Sequence, residues 1–215
     1  LARTWLNDHL LPWLDRPVQQ WTAIVPVKAA VDAKSRLINH SAAQRAALAL
    51  AFAEDAINAL TESPMIGRII VVGADVSTGP RSGIEHFPDP GLGLNTAIDH
   101  ASRKVDPAHP VLVMVADLPA VGTADIDTAL LHASGHRRSI ICDAAGTGTT
   151  ALMRTGSTTL QPAFGPRSRA HHVASGAWDL SDLEVPGMRR DVDTEVDLWD
   201  ALRLGVGPRT RLLLN

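Results

Sequence analysis

Three carboxylates and one cationic loop are the groups in this sequence best suited to do chemistry. Asp117 ends the apolar run VLVMVAD, and Leu118-Pro119 follow at once, so a strand formed by that run cannot continue past the acid. Asp191 and Asp193 lie two apart in RDVDT, a spacing that points both carboxylates to one side of an extended backbone. Three such oxygen donors suit a hard cation that keeps some waters and takes its remaining ligands from phosphates. Upstream, VPVKAAVDAKSRL spaces Lys28, Lys34 and Arg36 with small residues, which supplies positive charge and forked donors for phosphate groups. The pattern is neither G-x-G-x-x-G nor G-x-x-x-x-G-K-S/T, so dinucleotide and P-loop binding are not indicated. Plainer readings stand beside these. A basic loop can be simply solvated, Asp193 can help cap the helix that follows, and Asp191 can pair with Arg189 or Arg190.

Two further segments suit anions. In ICDAAGTGTTALMR, Gly146, Gly148, Thr149 and Thr150 make a small, hydroxyl-bearing turn; in PAFGPRSRAHH, Gly165 leads through Arg167 to Ser168 at a helix start. His171 and His172 are adjacent, so on a helix they diverge by about 100° and cannot share a metal. Both are expected at the surface, with contact of one of them to a phosphate as the alternative. Cys142, at the end of an apolar strand with no basic neighbour in sequence, is expected to be an inert core thiol. A basic loop, an acidic trio and anion-binding turns together describe a phosphate-rich substrate held by magnesium, and so transfer of a nucleotidyl or phosphoryl group.

The elements that must position these groups alternate. TAIVPV, RIIVVG, VLVMVAD, SIICD and TTALMR are strand-like. Ser41 caps AAQRAALALAFAEDAINAL; PGLGLNTAIDHASRKV, TADIDTALLHAS and SRAHHVASGAWDL are helical; RRDVDT is extended; and TEVDLWDALRLG is the last helix, with Thr194 as N-cap and Gly205 as stop. This alternation predicts one α/β domain over residues 21–215, three-layered, with a mainly parallel twisted sheet. Ligands in such sheets bind outside the carboxyl ends of the strands, where Asp117 falls. Residues 1–20 are expected to form a partly helical arm broken by Pro12 and Pro17. It would pack Trp5 and Trp13 on the body or make a homodimer contact.

Composition excludes other classes. The net charge of −3 offers no basic face to nucleic acid, no apolar run is long enough to span a bilayer, and a lone cysteine precludes an internal disulfide and fits a reducing, cytoplasmic compartment.

Taken in combination, VPVK, AKSRL, GLNTAI, ADLP, GTGTTAL, FGPRS and RDVDT resemble the 2-phospho-L-lactate guanylyltransferase family, whose bacterial members include phosphoenolpyruvate guanylyltransferases of deazaflavin coenzyme F-420 biosynthesis. The resemblance runs from about Trp21 to Gly207 and leaves out the arm. It implies a fold similar to molybdenum-cofactor nucleotidyltransferases and nucleotide-diphospho-sugar transferases. It further implies that Asp117, Asp191 and Asp193 hold magnesium, that Thr150, Gly165 and Ser168 receive the phosphorylated three-carbon acid, and that Pro26, Lys28, Lys34, Leu94 and Asn95 hold GTP. The implied reaction is attack of an acceptor phosphate oxygen on the α-phosphorus of GTP, with loss of pyrophosphate, aided by Lys34 and magnesium and needing no histidine. Phosphoenolpyruvate is favoured as acceptor over 2-phospho-L-lactate, and a labile product implies a second enzyme that consumes it. The alternatives are a nucleotidyltransferase for a sugar phosphate or molybdopterin, and a GTP-binding regulatory module without turnover.

Overall fold

The computed structural model of the chain describes residues 20–27, 34–74, 76 and 83–214. The arm up to Gln19, with Trp5 and Trp13, and Lys28 of the basic loop lie outside the described residues. Among those described, the elements run β1 (Trp21–Val27), α1 (Ala42–Glu62), β2 (Ile66–Gly73), β3 (Ile84–Phe87), α2 (Leu94–Ser102), β4 (Val111–Met114), α3 (Thr123–Ala133), β5 (Arg138–Cys142) and β6 (Thr149–Arg154). They continue with α4 (Ser168–Ala174), β7 (Trp178–Asp179), α5 (Pro186–Arg189), α6 (Glu195–Leu204) and α7 (Pro208–Leu214).

The strands form one seven-stranded sheet in the order β3-β2-β1-β4-β6-β5-β7. Only β6 runs against its neighbours, pairing antiparallel with β4 and β5; the other pairings are parallel. The mainly parallel sheet expected from the alternation is therefore present, with helices on both faces. Strand alternation explains the layering. Ala23, Val25, Leu112 and Met114 face one way and pack with Ala56, Ile57 and Leu60 of α1 and Ile126 and Leu130 of α3. Ile24, Val111 and Val113 face the other way and meet Ala97, Ile98 and Ala101 of α2. Near-continuous apolar strands are what a sheet covered on both faces requires.

The caps fall where their residue types indicate. Ser41 and Gln44 form a reciprocal capping box at α1, and Thr194 with Asp197 does the same at α6. Several boundaries differ from the sequence expectation. Regular pairing of β4 stops at Met114, so Asp117 lies three residues beyond the strand, in the turn that Pro119 enforces. IEHF pairs as edge strand β3; its partly buried Ile84 and Phe87 flank exposed Glu85 and His86, which gives no two-residue alternation to detect. The helix in SRAHHVASGAWDL ends at Ala174, and Trp178–Asp179 adds a short strand beside β5. Gly205 does stop α6, but α7 follows: the buried carboxylate of Asp55 accepts the Arg209 and Thr210 N–H groups at 2.9 and 2.8 Å and so caps it across 154 residues. No helix among the described residues is long and apolar enough to cross a membrane.

Candidate active site

β1 and β4 are adjacent parallel strands, so the chain leaves both at the same end of the sheet, and a cleft lies outside those carboxyl ends. Because β6 is antiparallel, its first residues lie at the same end of the sheet; the Val115 N–H donates to the Thr150 carbonyl at 2.9 Å. The cleft there has a volume of about 460 Å³. Pro26, Lys34, Leu94, Asp117, Thr150, Gly165, Ser168, Asp191 and Asp193 all line it. Residues from seven separate segments thus meet in one place.

Lys34 is held between two of the acids. Its Nζ donates to Asp117 Oδ2 at 2.6 Å and to Asp193 Oδ1 at 2.9 Å. The side chain is almost buried, its backbone takes the left-handed conformation at φ 59°, and Leu37, wholly buried, pins the same turn by donating its N–H to the Lys34 carbonyl. Burial opposes the ammonium charge, but the two carboxylates more than offset this, and the Lys34 pKa is raised. Asp117 and Asp193 therefore converge on one point, at present filled by an ammonium.

RDVDT is oriented by its central valine. Val192 is fully buried with Leu37, Leu48, Phe52 and Leu198, and its N–H donates to the Asp117 carbonyl at 3.0 Å. With Val192 turned inward, Asp191 and Asp193 face the cleft, as their spacing predicts. The cap is made by Thr194 and Asp197, to which Asp193 adds only its backbone N–H at 3.3 Å, while Arg190 bonds Asp197 and Asp200 and Arg189 turns to Ser181, Cys142 and Asp143. Asp191 is pushed up to about 7, first by burial and then by Asp117, Asp143 and Asp193. Four carboxylates thus share a cleft that, among the described residues, only Lys34 lines with positive charge. Excess negative charge of this kind favours a cation beside an incoming phosphate. The carboxylates are not pre-assembled for it, since no cluster of three acid, histidine or cysteine ligands stands ready among the described residues. Carboxylate oxygens suit a magnesium ion that keeps waters and completes its shell from a phosphate, so the residues present fit the group.

Asp143 was not singled out from the sequence, although it too ends an apolar strand. Its two oxygens accept the Thr147 and Gly148 N–H groups, each at 2.8 Å, which folds the GTGTT turn. A Cβ on Gly148 would lie 2.5 Å from Asp143 Oδ2, so only glycine fits there. Opposite, Gly165 has φ 130° with nothing near its missing Cβ, a backbone that lets the chain turn sharply beside the cleft.

Two expectations are revised and a third is extended. Asn95 does not line the cleft; its amide is used on Phe164, donating to the carbonyl at 2.9 Å and accepting the N–H at 2.7 Å, so it positions the loop before Gly165. His172 is wholly buried, not at the surface; only His171 is exposed. Its ring contacts Thr149 Oγ1 at 3.0 Å, accepts the Ala163 N–H at 2.9 Å, and meets Phe164 edge-on at 5.4 Å. Burial, with Arg138 and His171 nearby, lowers its pKa to about 4. Cys142 is buried as expected, but Arg189 Nη2 lies 3.4 Å from its sulfur, a neighbour that sequence proximity did not show.

The chain shares its fold with solved structures of low sequence identity. It superposes on the 4-diphosphocytidyl-2C-methyl-D-erythritol synthase of Anaerococcus prevotii with a TM-score of 0.57 at 9% identity, covering 92% of this chain and 97% of that one. It also superposes on a protein of Desulfovibrio desulfuricans G20, provisionally described as a nucleotide-diphospho-sugar transferase, with a TM-score of 0.62 at 18% identity over 90% and 93% of the two chains. Sequence relatives are nearer. Phosphoenolpyruvate guanylyltransferases of Streptomyces scabiei and Streptomyces coelicolor are 43% and 44% identical, each over 89% of this chain and 94% of the relative. The family profile described as "Guanylyl transferase CofC like" matches residues 21–211. The chain therefore belongs to the CofC-like guanylyl transferase family.

Proposed function

We propose that this protein joins GMP from GTP to a phosphorylated three-carbon acid, phosphoenolpyruvate in preference to 2-phospho-L-lactate, releasing pyrophosphate in cytoplasmic biosynthesis of coenzyme F-420. The observation that carries this reading is the convergence, in one cleft, of the Lys34–Asp117–Asp193 ion pairs with the glycine- and hydroxyl-rich turns at Thr150 and at Gly165–Ser168. The names of the 43–44% identical relatives support the acceptor.

In this reading Pro26, Lys28, Lys34 and Leu94 hold GTP, with Asn95 acting through Phe164, and Thr150, Gly165 and Ser168 receive the acid. Asp117, Asp191 and Asp193 would hold magnesium. When bound, the ion neutralises charge on the transferring and leaving phosphate oxygens. The chain contributes position and charge. The Lys34 ammonium, paired with Asp117 and Asp193 at the floor of the cleft, is placed to donate to phosphate oxygens as pyrophosphate departs. The acceptor monoester, with a second pKa of about 6, is already ionised and needs no general base. One P–O bond forms at the α-phosphorus as the bond to the pyrophosphate oxygen breaks.

The test is pyrophosphate release with magnesium and a coupling pyrophosphatase, crossing GTP, CTP and ATP with phosphoenolpyruvate, 2-phospho-L-lactate and 3-phosphoglycerate. Turnover with GTP and phosphoenolpyruvate, lost in Asp117→Ala and Asp191→Ala, is expected. GTP binding without turnover for any acid would instead identify a regulatory module.

A further inference from the structure

The reaction as written uses no histidine, yet His172 is completely buried against both acceptor-side turns. Its bonding fixes its tautomer. The backbone N–H of Ala163 can only donate, so Nε2 must offer a lone pair to it, and in the neutral ring the proton is then on Nδ1. Nδ1 lies 3.0 Å from Thr149 Oγ1, and the hydroxyl must accept there, sharing the Nδ1 proton with the Ser168 carbonyl. A hydroxyl has one proton of its own to place. Among the described residues the imidazole is the one hydrogen-bond partner of the Thr149 hydroxyl, and Thr149 lines the cleft. Its neighbour differs: Thr150 places its proton on the Ile141 carbonyl at 3.3 Å.

We infer that His172 is a positioning residue that sets Thr149 as a hydrogen-bond donor toward an anionic group, carboxylate or phosphate, of the acceptor acid. The inference rests on the function proposed above and adds two residues to it. The relay runs Nδ1–H to Thr149 Oγ1, and Oγ1–H to the anion. A chain of aligned hydroxyl and imidazole donors favours an anion over a neutral ligand, because each bond polarises the next. The same ring, by accepting the Ala163 N–H, fixes the distance between the GTGTT turn and the Phe164–Gly165 loop that forms the other wall. A lowered pKa keeps the ring neutral at physiological pH, as the relay requires.

The experiment is calorimetric binding of phosphoenolpyruvate and 2-phospho-L-lactate, with magnesium, to the wild type and to Thr149→Val, Thr149→Ser, His172→Gln and His172→Asn, alongside steady-state kinetics. Thr149→Val should weaken acceptor binding roughly 10- to 100-fold, the loss of one hydrogen bond to a charged group. Thr149→Ser should keep most of the affinity, and the KM for GTP should stay within about twofold in both variants. His172→Gln keeps an acceptor near Nε2 but loses the donor, and should match Thr149→Val. His172→Asn keeps a donor near Nδ1 and should bind better than His172→Gln. The double variant Thr149→Val/His172→Gln should bind the acid no worse than Thr149→Val alone. Wild type that binds neither acid overturns the function reading and this inference together. Wild type that binds one, with Thr149→Val or His172→Gln binding it equally well, overturns this inference alone. Equal losses in His172→Asn and His172→Gln, additive with Thr149→Val, would also overturn it, since they indicate a purely structural histidine.

Discussion

Replacing Lys34 by methionine tests how the cleft is held before substrates arrive. Methionine keeps most of the packing of the stem and removes the ammonium. The Lys34 side chain is 9% exposed and Asp117 30%, so their 2.6 Å contact counts as a charge-assisted hydrogen bond contributing about 1.5–3 kcal/mol. Asp193 is 53% exposed, and its 2.9 Å contact is discounted to the surface range of about 0.5–1 kcal/mol. The sum, about 2–4 kcal/mol, corresponds in a chain of this size to a melting temperature lower by roughly 5–12 °C. Removing the lysine also takes away, among the described residues, the cation paired with Asp117 and Asp193. A divalent ion should therefore raise the melting temperature of Lys34→Met more than that of the wild type. The sign with pH follows from the raised Lys34 pKa. Its stabilisation is fully present below the unfolded-state value of about 10.4 and disappears as pH rises through the higher folded value. Differential scanning calorimetry in chelator should accordingly show a gap between the two proteins that is constant from neutral pH to about 10 and closes above it. Turnover should fall by about 10²–10³. Equal melting temperatures at neutral pH without metal would refute the placement of the ammonium between the two acids.

Three other perturbations separate fold from site. In His172→Gln, acid sensitivity should fall: a pKa lowered from 6.5 to about 4 means wild-type stability is fully present above 6.5 and declines as pH drops toward 4, by about 3 kcal/mol in total, which urea melts at pH 7 and 4.5 would detect as a flatter profile in the variant. Asp55→Ala strips the cap from α7, leaving the Arg209 and Thr210 N–H groups without their carboxylate. It should cost about 2–4 kcal/mol in a denaturant titration while turnover of the folded fraction stays at the wild-type level. Gly187→Ala places a methyl 2.2 Å from the Ala120 carbonyl and 2.5 Å from Asp125 Oδ2. Because Ala120 closes the turn that carries Asp117, a loss of more than about 3 kcal/mol should come with loss of turnover.

Wherever a local rule sufficed, the sequence was legible. Buried strands came from continuous apolar runs, Ser41 and Thr194 announced helix starts, and the two-residue spacing in RDVDT placed Asp191 and Asp193 on one side because the residue between them is a valine that must be buried. What escaped was set by partners far off in sequence. The carboxylate capping α7 comes from α1, so the start of that helix shows no N-cap residue of its own. β3 is a short edge strand whose two apolar residues, Ile84 and Phe87, lie three apart and pack on opposite faces, so it has no two-residue pattern to betray it. The family resemblance implies that Asn95 holds GTP, yet its amide has both bonding directions satisfied by Phe164, 69 residues away.

His172 shows why adjacency to a polar neighbour misleads. His171 and His172 diverge on α4, and only one of them can face out; which one is decided by Thr149 and Ala163, neither close in sequence. A buried imidazole is tolerated because both ring nitrogens are matched by protein groups. That matching is also what fixes its tautomer, and a fixed tautomer dictates where the next hydroxyl sends its proton. The acidic and hydroxyl sides of the cleft are in this respect alike. On each, a side chain that never needs to touch the reacting atoms, Val192 on one and His172 on the other, decides what its neighbours present to the substrate.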